Sequence, residues 1–154
     1  MIYCDMDGVL VDFDRGFKDQ FGCYPGELAR PDMWEKILHT PDYWFNLPPK
    51  DDALELISYI KNFDFAILTG LPHHGFDKAN IEKRRWIEKH IGPNIEIICC
   101  LSKEKQNYLQ EGDILIDDYQ PNIDRWITAG GLGILHQSTI QTISILQKLG
   151  YKLK

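Results

Sequence analysis

The sequence lacks a hydrophobic run that could cross a membrane, since none approaches the roughly 18 apolar residues that a span needs. Its first residues also lack a basic segment followed by a long apolar one, so we expect no signal peptide. Basic residues are in deficit, with 17 lysines and arginines against 23 aspartates and glutamates. The resulting net charge of -6 argues against general binding to nucleic acid or to membrane surfaces. It still allows a small anionic substrate that is held by a metal and a few local cations.

The sequence has few cysteines, and their spacing excludes the common C-x-x-C motifs. The four cysteines are Cys4, Cys23, Cys99 and Cys100, and no two of them have C-x-x-C spacing. Cys4 and the adjacent pair Cys99 and Cys100 fall in predicted core strands. We therefore interpret the cysteines as reduced thiols and expect a cytoplasmic protein.

Short apolar runs alternate with helical patterns along most of the chain. The apolar runs, each a predicted strand, are residues 2–4, 64–69, 95–101, 113–118 and 131–136. The helical patterns lie at 51–63, 76–92 and 138–150. Several of the runs are continuously apolar, as is typical of strands that are covered on both faces. The alternation predicts an α/β fold with a central parallel sheet.

Residues 14–50 break this alternation. After one short helical stretch, the segment carries five prolines with aromatic residues between them, which is too irregular for another strand and helix. We interpret it as a small insertion that lies over the strand ends as a cap. Residues 1–154 are therefore predicted to be one domain that contains this cap, long enough to bury a core of its own.

Three predicted strands end in polar residues. These are Asp5 and Asp7 after the first strand, Thr69 and Gly70 at the second, and Asp117 and Asp118 at the fourth. Ligands of parallel sheets bind outside the carboxyl ends of strands, so we expect these residues to converge. Neighbouring carboxylates repel one another unless a cation lies between them, and Mg²⁺ prefers such oxygen ligands together with substrate phosphate. The alternative, that the aspartates only cap turns and helices, is weaker because all three sets fall on strand ends.

These motifs resemble a known family. DMDGVLVDF, ILTG and DILIDD are similar to the first, second and fourth signature motifs of the haloacid dehalogenase-like (HAD) phosphohydrolases. The stretches WFNLPPKDDA, KRRWIEKHIG and ILIDD further resemble the 5'(3')-deoxyribonucleotidase branch of that superfamily. The resemblance covers residues 1 to about 136. It implies a Rossmann-like three-layer α/β/α sandwich with a small helical cap.

The resemblance implies Mg²⁺-dependent hydrolysis of the phosphate of deoxyribonucleoside monophosphates. Asp5 would be the nucleophile that forms an aspartyl-phosphate, and Asp7 the general acid and base. The metal would be held by Asp5, the backbone carbonyl of Asp7 and Asp118. Asp117 would orient a water molecule of the metal.

The resemblance also implies residues that bind the substrate. Thr69 and the Gly70 amide would bind phosphate oxygens, and Phe13 would lie against the nucleobase. A lysine before the fourth strand would balance the charge; spacing does not choose between Lys103 and Lys105, and we predict Lys105.

Two features leave the substrate open. The first feature is a set of aromatic residues in the cap, namely Phe17, Tyr43, Trp44 and Phe45. They either complete an apolar slot for a flat base or form the cap's own core. The chain also departs from the branch, which usually has Thr-Ser where this sequence has Thr69-Gly70 and a basic residue where it has Tyr119.

His73 and His74 are interpreted as loop residues near the site entrance.

Other functions remain open from the sequence alone. One is a HAD phosphatase for another small phosphate ester or a nucleic-acid 3'-phosphate, and another is a non-catalytic phosphate-binding module. The presence of both Asp5 and Asp7 weighs against the binding module. We expect a small phosphorylated substrate as partner, neither a membrane nor nucleic acid in general, and the oligomeric state stays open, a homodimer included.

Overall fold

A single parallel sheet forms the centre of the molecule in the computed structural model, which describes residues 1–153. Its strands are β1 (Ile2–Cys4), β2 (Phe65–Leu71), β3 (Ile97–Leu101), β4 (Ile114–Asp117) and β5 (Leu132–Leu135). They lie in the order β3-β2-β1-β4-β5, and all neighbours are parallel. The predicted α/β fold with a central parallel sheet is confirmed.

Six α-helices connect and cover the strands within the described residues. They are α1 (Phe13–Phe21), α2 (Arg30–His39), α3 (Ala53–Ile60), α4 (Phe76–His90), α5 (Gln120–Thr128) and α6 (Thr139–Lys148). Two short 3₁₀ helices span Pro25–Glu27 and Ser102–Tyr108. The helices predicted at 51–63, 76–92 and 138–150 correspond to α3, α4 and α6. None of the described helices is both long and apolar enough to cross a membrane.

Two helices, α2 and α5, were missed by the sequence analysis. The segment that contains α2 was judged too irregular because of its prolines. Pro31 and Pro121 both lie in the first turn of their helices. A proline there loses no hydrogen bond, since the first amides of a helix have no partner inside it. These prolines therefore begin helices rather than interrupt the chain.

The sheet buries residues on both of its faces. Ile2 and Cys4 pack into one core cluster, which also contains Trp86 of α4. Tyr3, between them in β1, points to the other cluster, where it meets Trp126 of α5 edge to face. Burial on both faces explains why the strands are almost continuously apolar.

The segment between β1 and α3 leaves the sheet and returns to it at neighbouring points. The Asp12 amide donates to the Pro48 carbonyl at 2.9 Å, and the Lys50 amide donates to the Leu10 carbonyl at 2.8 Å. These two bonds close the base of the excursion, which carries α1 and α2. The segment starts directly after Asp5 and Asp7 and so lies at the carboxyl edge of the sheet.

Candidate active site

A buried lysine lies between two buried aspartates at the carboxyl edge of the sheet. Lys105 belongs to the 3₁₀ helix after β3, and its Nζ is 2.8 Å from Asp5 Oδ1 and 2.6 Å from Asp117 Oδ2. Asp5 follows β1 and Asp117 ends β4, and these strands are direct neighbours. Burial and the charge of Asp117 raise the pKa of Asp5 above its usual range, although Lys105 opposes this shift. Burial alone would lower the pKa of Lys105, but the two carboxylates raise it above the usual value and keep the lysine charged.

Asp117 is fully buried and is held by three donors. Its Oδ2 accepts hydrogen bonds from Lys105 and, at 2.9 Å, from Asn122 Nδ2. Its Oδ1 accepts from the backbone amide of Tyr119 at 2.9 Å. Asp117 is thereby fixed in orientation, and it in turn fixes Lys105 against Asp5.

The carboxylates of this edge fit a divalent cation. One carboxylate oxygen from each of Asp5, Asp117 and Asp118 lies within 4.8 Å of the others. Burial and the neighbouring Asp117 raise the pKa of Asp118 to about 6, so Lys105 does not neutralise the cluster completely. Because Asp117 is already occupied by three donors, Asp5 and Asp118 have the more available oxygens. A hard cation with oxygen ligands would relieve this repulsion.

The glycine of the DMDG stretch makes room for Asp118. Gly8 has a φ of +78°, which is costly for other residues. A Cβ on Gly8 would lie 1.9 Å from Asp118 Oδ2, which is far inside van der Waals contact. The turn after β1 therefore needs glycine both for its backbone conformation and for the approach of Asp118.

A second buried lysine, Lys83, forms an ion pair with Asp7. Lys83 of α4 is fully buried, and its Nζ is 2.5 Å from Asp7 Oδ2. The same Nζ donates to Thr69 Oγ1 at 3.0 Å and to the Gly70 carbonyl at 2.8 Å. It also lies 4.5 Å from the centroid of the Trp44 ring, a cation–π contact with the cap.

Sequence reasoning assigned no role to Lys83. The stretch KRRWIEKHIG supported only the family resemblance. The signal that was available is helical periodicity. Ala79, Trp86 and Ile87 are all buried and lie four residues before, three after and four after Lys83. A lysine on the buried face of a helix requires a buried partner.

A large cavity of about 1170 Å³ opens above these residues, between the sheet edge and the cap. Most of the predicted site residues line it, namely Asp5, Asp7, Gly70, Lys105, Asp118 and Phe13. Thr69 and Asp117 lie behind its wall, bound to Lys83 and Lys105 respectively. Lys103 also lines the cavity, but it is exposed and forms no ion pair within the described residues. His73 and His74 lie on the wall as exposed loop residues.

The aromatic residues of the cap divide between the cavity and the core. Trp44 lines the cavity with Phe13, and their ring centroids are 5.9 Å apart. Phe17 and Tyr43 are fully buried and form the core of the cap. Phe45 lies outside the cavity, where two basic side chains of α4 cover its ring. The expected slot is therefore smaller than the full aromatic set.

Trp34 of α2 completes the aromatic wall. It lines the cavity and lies 6.4 Å from Trp44, centroid to centroid. Trp34 was not among the residues predicted for this slot.

The chain is similar to curated deoxyribonucleotidases. It is 31% identical over 147 residues to the mitochondrial 5'(3')-deoxyribonucleotidase of Mus musculus, with 79% of this chain and 65% of that protein covered. It is 30% identical over 141 residues to the cytosolic-type 5'(3')-deoxyribonucleotidase of Homo sapiens, with 76% of this chain and 69% of the relative covered. The chain thus spans about two thirds of the length of these relatives. No protein-family model matches it.

Solved structures share the fold. A HAD family hydrolase from Deinococcus radiodurans R1, solved with bound phosphate and sodium, superposes with a TM-score of 0.61 at 16% identity and covers 97% of this chain and 96% of its own. An L-2-haloacid dehalogenase from Xanthobacter autotrophicus superposes with a TM-score of 0.54 at 11% identity, and the superposition covers 99% of this chain and 83% of the dehalogenase chain. Together with the sequence relatives, this shared fold confirms the resemblance seen in the motifs, and the chain belongs to the 5'(3')-deoxyribonucleotidase family.

Proposed function

We propose that this protein is a phosphomonoesterase that hydrolyses deoxyribonucleoside monophosphates. The observation that carries the proposal is the pairing of Asp5 and Asp7, in one cavity, each with a buried lysine of its own. The names of the curated relatives support the substrate class. An aromatic wall beside the acidic residues supports a substrate that joins a phosphate to a flat base.

In the proposed reaction Asp5 is the nucleophile. A carboxylate oxygen of Asp5 attacks phosphorus, the bond from phosphorus to the ester oxygen breaks, and an aspartyl-phosphate forms. Lys105 stays protonated beside Asp5 and lowers the repulsion between the carboxylate and the phosphate. Asp117 holds Lys105 in that place.

Asp7 transfers the protons. Its Oδ2 is bound by Lys83, whereas its Oδ1 has no hydrogen-bond partner in the described residues. The Asp7 carboxyl group, which lines the cavity, would give a proton to the leaving ester oxygen. In the second half of the reaction it takes a proton from the water that attacks phosphorus, and this attack frees Asp5 and releases phosphate.

Magnesium fits the carboxylate cluster. Asp5 and Asp118 would hold the ion, and the Asp7 backbone carbonyl is the further ligand that the family resemblance implies. When bound, Mg²⁺ supplies positive charge between the nucleophile and the phosphate. The Gly70 amide would still orient the phosphate, and the predicted contact of Thr69 with the phosphate would require its buried hydroxyl to become accessible.

The aromatic wall would receive the base. Phe13, Trp34 and Trp44 line the same cavity as the acidic residues. Stacking of a base on an aromatic ring contributes roughly 1 to 3 kcal/mol. A nucleotide would therefore bind more tightly than a sugar phosphate that offers no flat ring.

The test is phosphate release from a panel of substrates with Mg²⁺ and with EDTA. The panel contains deoxyribonucleoside and ribonucleoside monophosphates, sugar phosphates and a 3'-phosphorylated oligonucleotide. We expect the highest kcat/KM for deoxyribonucleoside monophosphates and no release in EDTA. Release that favours sugar phosphates or the oligonucleotide would replace the substrate class while keeping the chemistry. No release from any substrate would overturn the proposal.

A further inference from the structure

Ser102 places a hydroxyl on the cavity wall beside Gly70. It follows β3 directly, is half-buried, and lines the same cavity as Asp5 and Asp7. A Cβ on residue 70 would lie only 3.1 Å from Ser102 Cβ, so the two positions share one patch of wall. Because Gly70 has no side chain, Ser102 supplies the hydroxyl of that patch.

The Ser102 hydroxyl can leave its present partner at little cost. Ser102 Oγ donates to Asn122 Oδ1 at 3.0 Å, and Arg125 Nη2 donates to the same oxygen at 2.5 Å. If the hydroxyl turns toward the cavity, Arg125 still satisfies that oxygen, so no buried acceptor is left without a donor. The amide nitrogen of Asn122 meanwhile keeps its bond to Asp117.

A phosphoryl group at this site needs more donors than the lysines provide. Its three non-bridging oxygens each accept hydrogen bonds, but Lys105 and Lys83 are already bound to Asp5 and Asp7. Thr69 Oγ1 accepts from Lys83 and has its own proton to give. Ser102 is a second neutral hydroxyl and lies next to Gly70.

We propose that the Ser102 hydroxyl binds a non-bridging oxygen of the substrate's phosphoryl group. The inference rests on the proposed function, since it names a further substrate-binding residue of the same site. It identifies the bound chemistry as a phosphate monoester dianion or free phosphate, which share these oxygens.

Isothermal titration with inorganic phosphate, in the presence of Mg²⁺, tests Ser102 without turnover. We expect Ser102→Ala to raise the Kd for phosphate about tenfold, as the loss of a hydrogen bond to a charged group would. Ser102→Thr keeps the hydroxyl and should retain the wild-type Kd. Ser58→Ala removes an exposed hydroxyl on α3 and is the matched control, with no expected change.

A relocation variant separates binding from a structural role. In the double variant Gly70→Ser/Ser102→Gly, the hydroxyl moves from residue 102 to residue 70. The Cβ of residue 102, which would crowd a side chain at residue 70, is removed at the same time. Recovery of phosphate affinity relative to Ser102→Ala supports the inference. If Ser102 only holds Asn122, the relocated hydroxyl restores nothing, and the inference is overturned.

Failure of this inference can be distinguished from failure of the proposed function. If the wild type releases phosphate from nucleotides and the Kd of Ser102→Ala for phosphate is within about twofold of the wild-type Kd, the inference alone is overturned. A wild type that binds phosphate more tightly than Ser102→Ala, but hydrolyses no substrate, overturns the proposed function alone. A wild type that binds no inorganic phosphate overturns the inference.

Discussion

At the scale of single residues, Asp5 and Asp7 have separate cationic partners. Lys105 contacts Asp5 and Lys83 contacts Asp7, and both lysines are almost completely buried. Burying an ammonium group is costly unless a carboxylate compensates it. The arrangement therefore supports the proposed division of roles, in which Lys105 would lie beside the nucleophile Asp5 and Lys83 beside the proton-transfer group Asp7.

The role of Lys83 is tested by Lys83→Met, which keeps the bulk and removes the charge. We expect kcat/KM to fall about 100-fold, because a fixed charge beside the reacting groups is lost. We expect Tm to fall as well, because Asp7 and the Gly70 carbonyl lose the ammonium group that donates to them. Phosphate-release kinetics and thermal denaturation provide the two readouts.

Arg84→Met is the matched control for that variant. Arg84 is the next residue of α4 and is exposed, so both kcat/KM and Tm should remain at wild-type values. If Lys83→Met still unfolded in a cooperative thermal transition and retained full activity, Lys83 would have no part in the chemistry.

The site residues differ in how well the sequence alone predicts them. Asp5, Asp7 and Asp118 stand directly after apolar strands, where position along the chain already implies position at the sheet edge. Lys105 and Lys103 are two residues apart in a 3₁₀ helix, so only the packing of that helix shows which side chain turns inward. Lys83 comes from a helix far along the chain, and its place depends on tertiary packing.

At the scale of elements, the turn after β1 depends on Gly8. Gly8→Ala should lower the free energy of unfolding by more than about 1 kcal/mol, because the residue has a positive φ and its Cβ meets Asp118. Displacement of Asp118 should also lower kcat at least tenfold, roughly what a misplaced charged group costs in the transition state. Urea denaturation and steady-state kinetics measure the two effects.

Gly22→Ala separates backbone strain from the approach of Asp118. Gly22 also has a positive φ, at the end of α1, but a Cβ there meets nothing within 4 Å. It should cost about 1 kcal/mol of stability and leave kcat unchanged. Equal losses of kcat in the two variants would show that Gly8 has no specific role at the site.

Helix α4 holds the cap as well as Asp7. Trp86 Nε1 donates to the Leu47 carbonyl at 2.8 Å, and Glu82 accepts from the Trp44 amide at 3.0 Å. Trp86→Phe removes one of these bonds and leaves a buried carbonyl without its donor, at a cost of about 1 to 3 kcal/mol. We expect a several-fold higher KM for nucleotides, since the aromatic wall loses its anchor, and steady-state kinetics would measure it.

Trp126→Phe is the comparison for the cap variant. Trp126 is also fully buried, and its Nε1 donates to the Asp113 carbonyl at 3.3 Å on the opposite face of the sheet. Its loss should lower stability without changing KM. A KM that rose equally in both variants would show that α4 does not control the cap.

The strands were predictable because both faces of the sheet are buried, which leaves nearly unbroken apolar runs. Helix α2 was not predictable in the same way, since its only buried residue is Ile37. A helix that lies over a cavity has a weak apolar stripe, so periodicity carries little signal there.

At the scale of the whole molecule, stability should depend on the protonation of His136. Burial and the nearby Lys50 lower the pKa of His136, with Asp52 partly opposing them, and its Nδ1 lies 2.8 Å from Thr142 Oγ1 of α6. The unfolded chain therefore takes up this proton more readily than the folded protein does. The free energy of unfolding should fall as pH drops through about 6.5, and level off below the folded pKa.

His136→Gln tests this pH dependence. Thermal denaturation between about pH 8 and pH 5 should show a flatter decline of Tm for the variant than for the wild type. His39→Gln, at an exposed position of α2, should keep the wild-type slope. Parallel slopes for wild type and His136→Gln would show that other groups govern the acid sensitivity.

If the DMDG stretch carries out phosphoryl transfer through Asp5, turnover depends on the carboxylate of this residue. The most direct measurement is phosphate release from a deoxyribonucleoside monophosphate with Mg²⁺, by wild type and by Asp5→Asn of equal thermal stability. We predict turnover by the wild type and a rate at least about 10³-fold lower in Asp5→Asn, because the amide cannot act as the nucleophile. A variant that kept more than about a tenth of the wild-type rate would contradict the account.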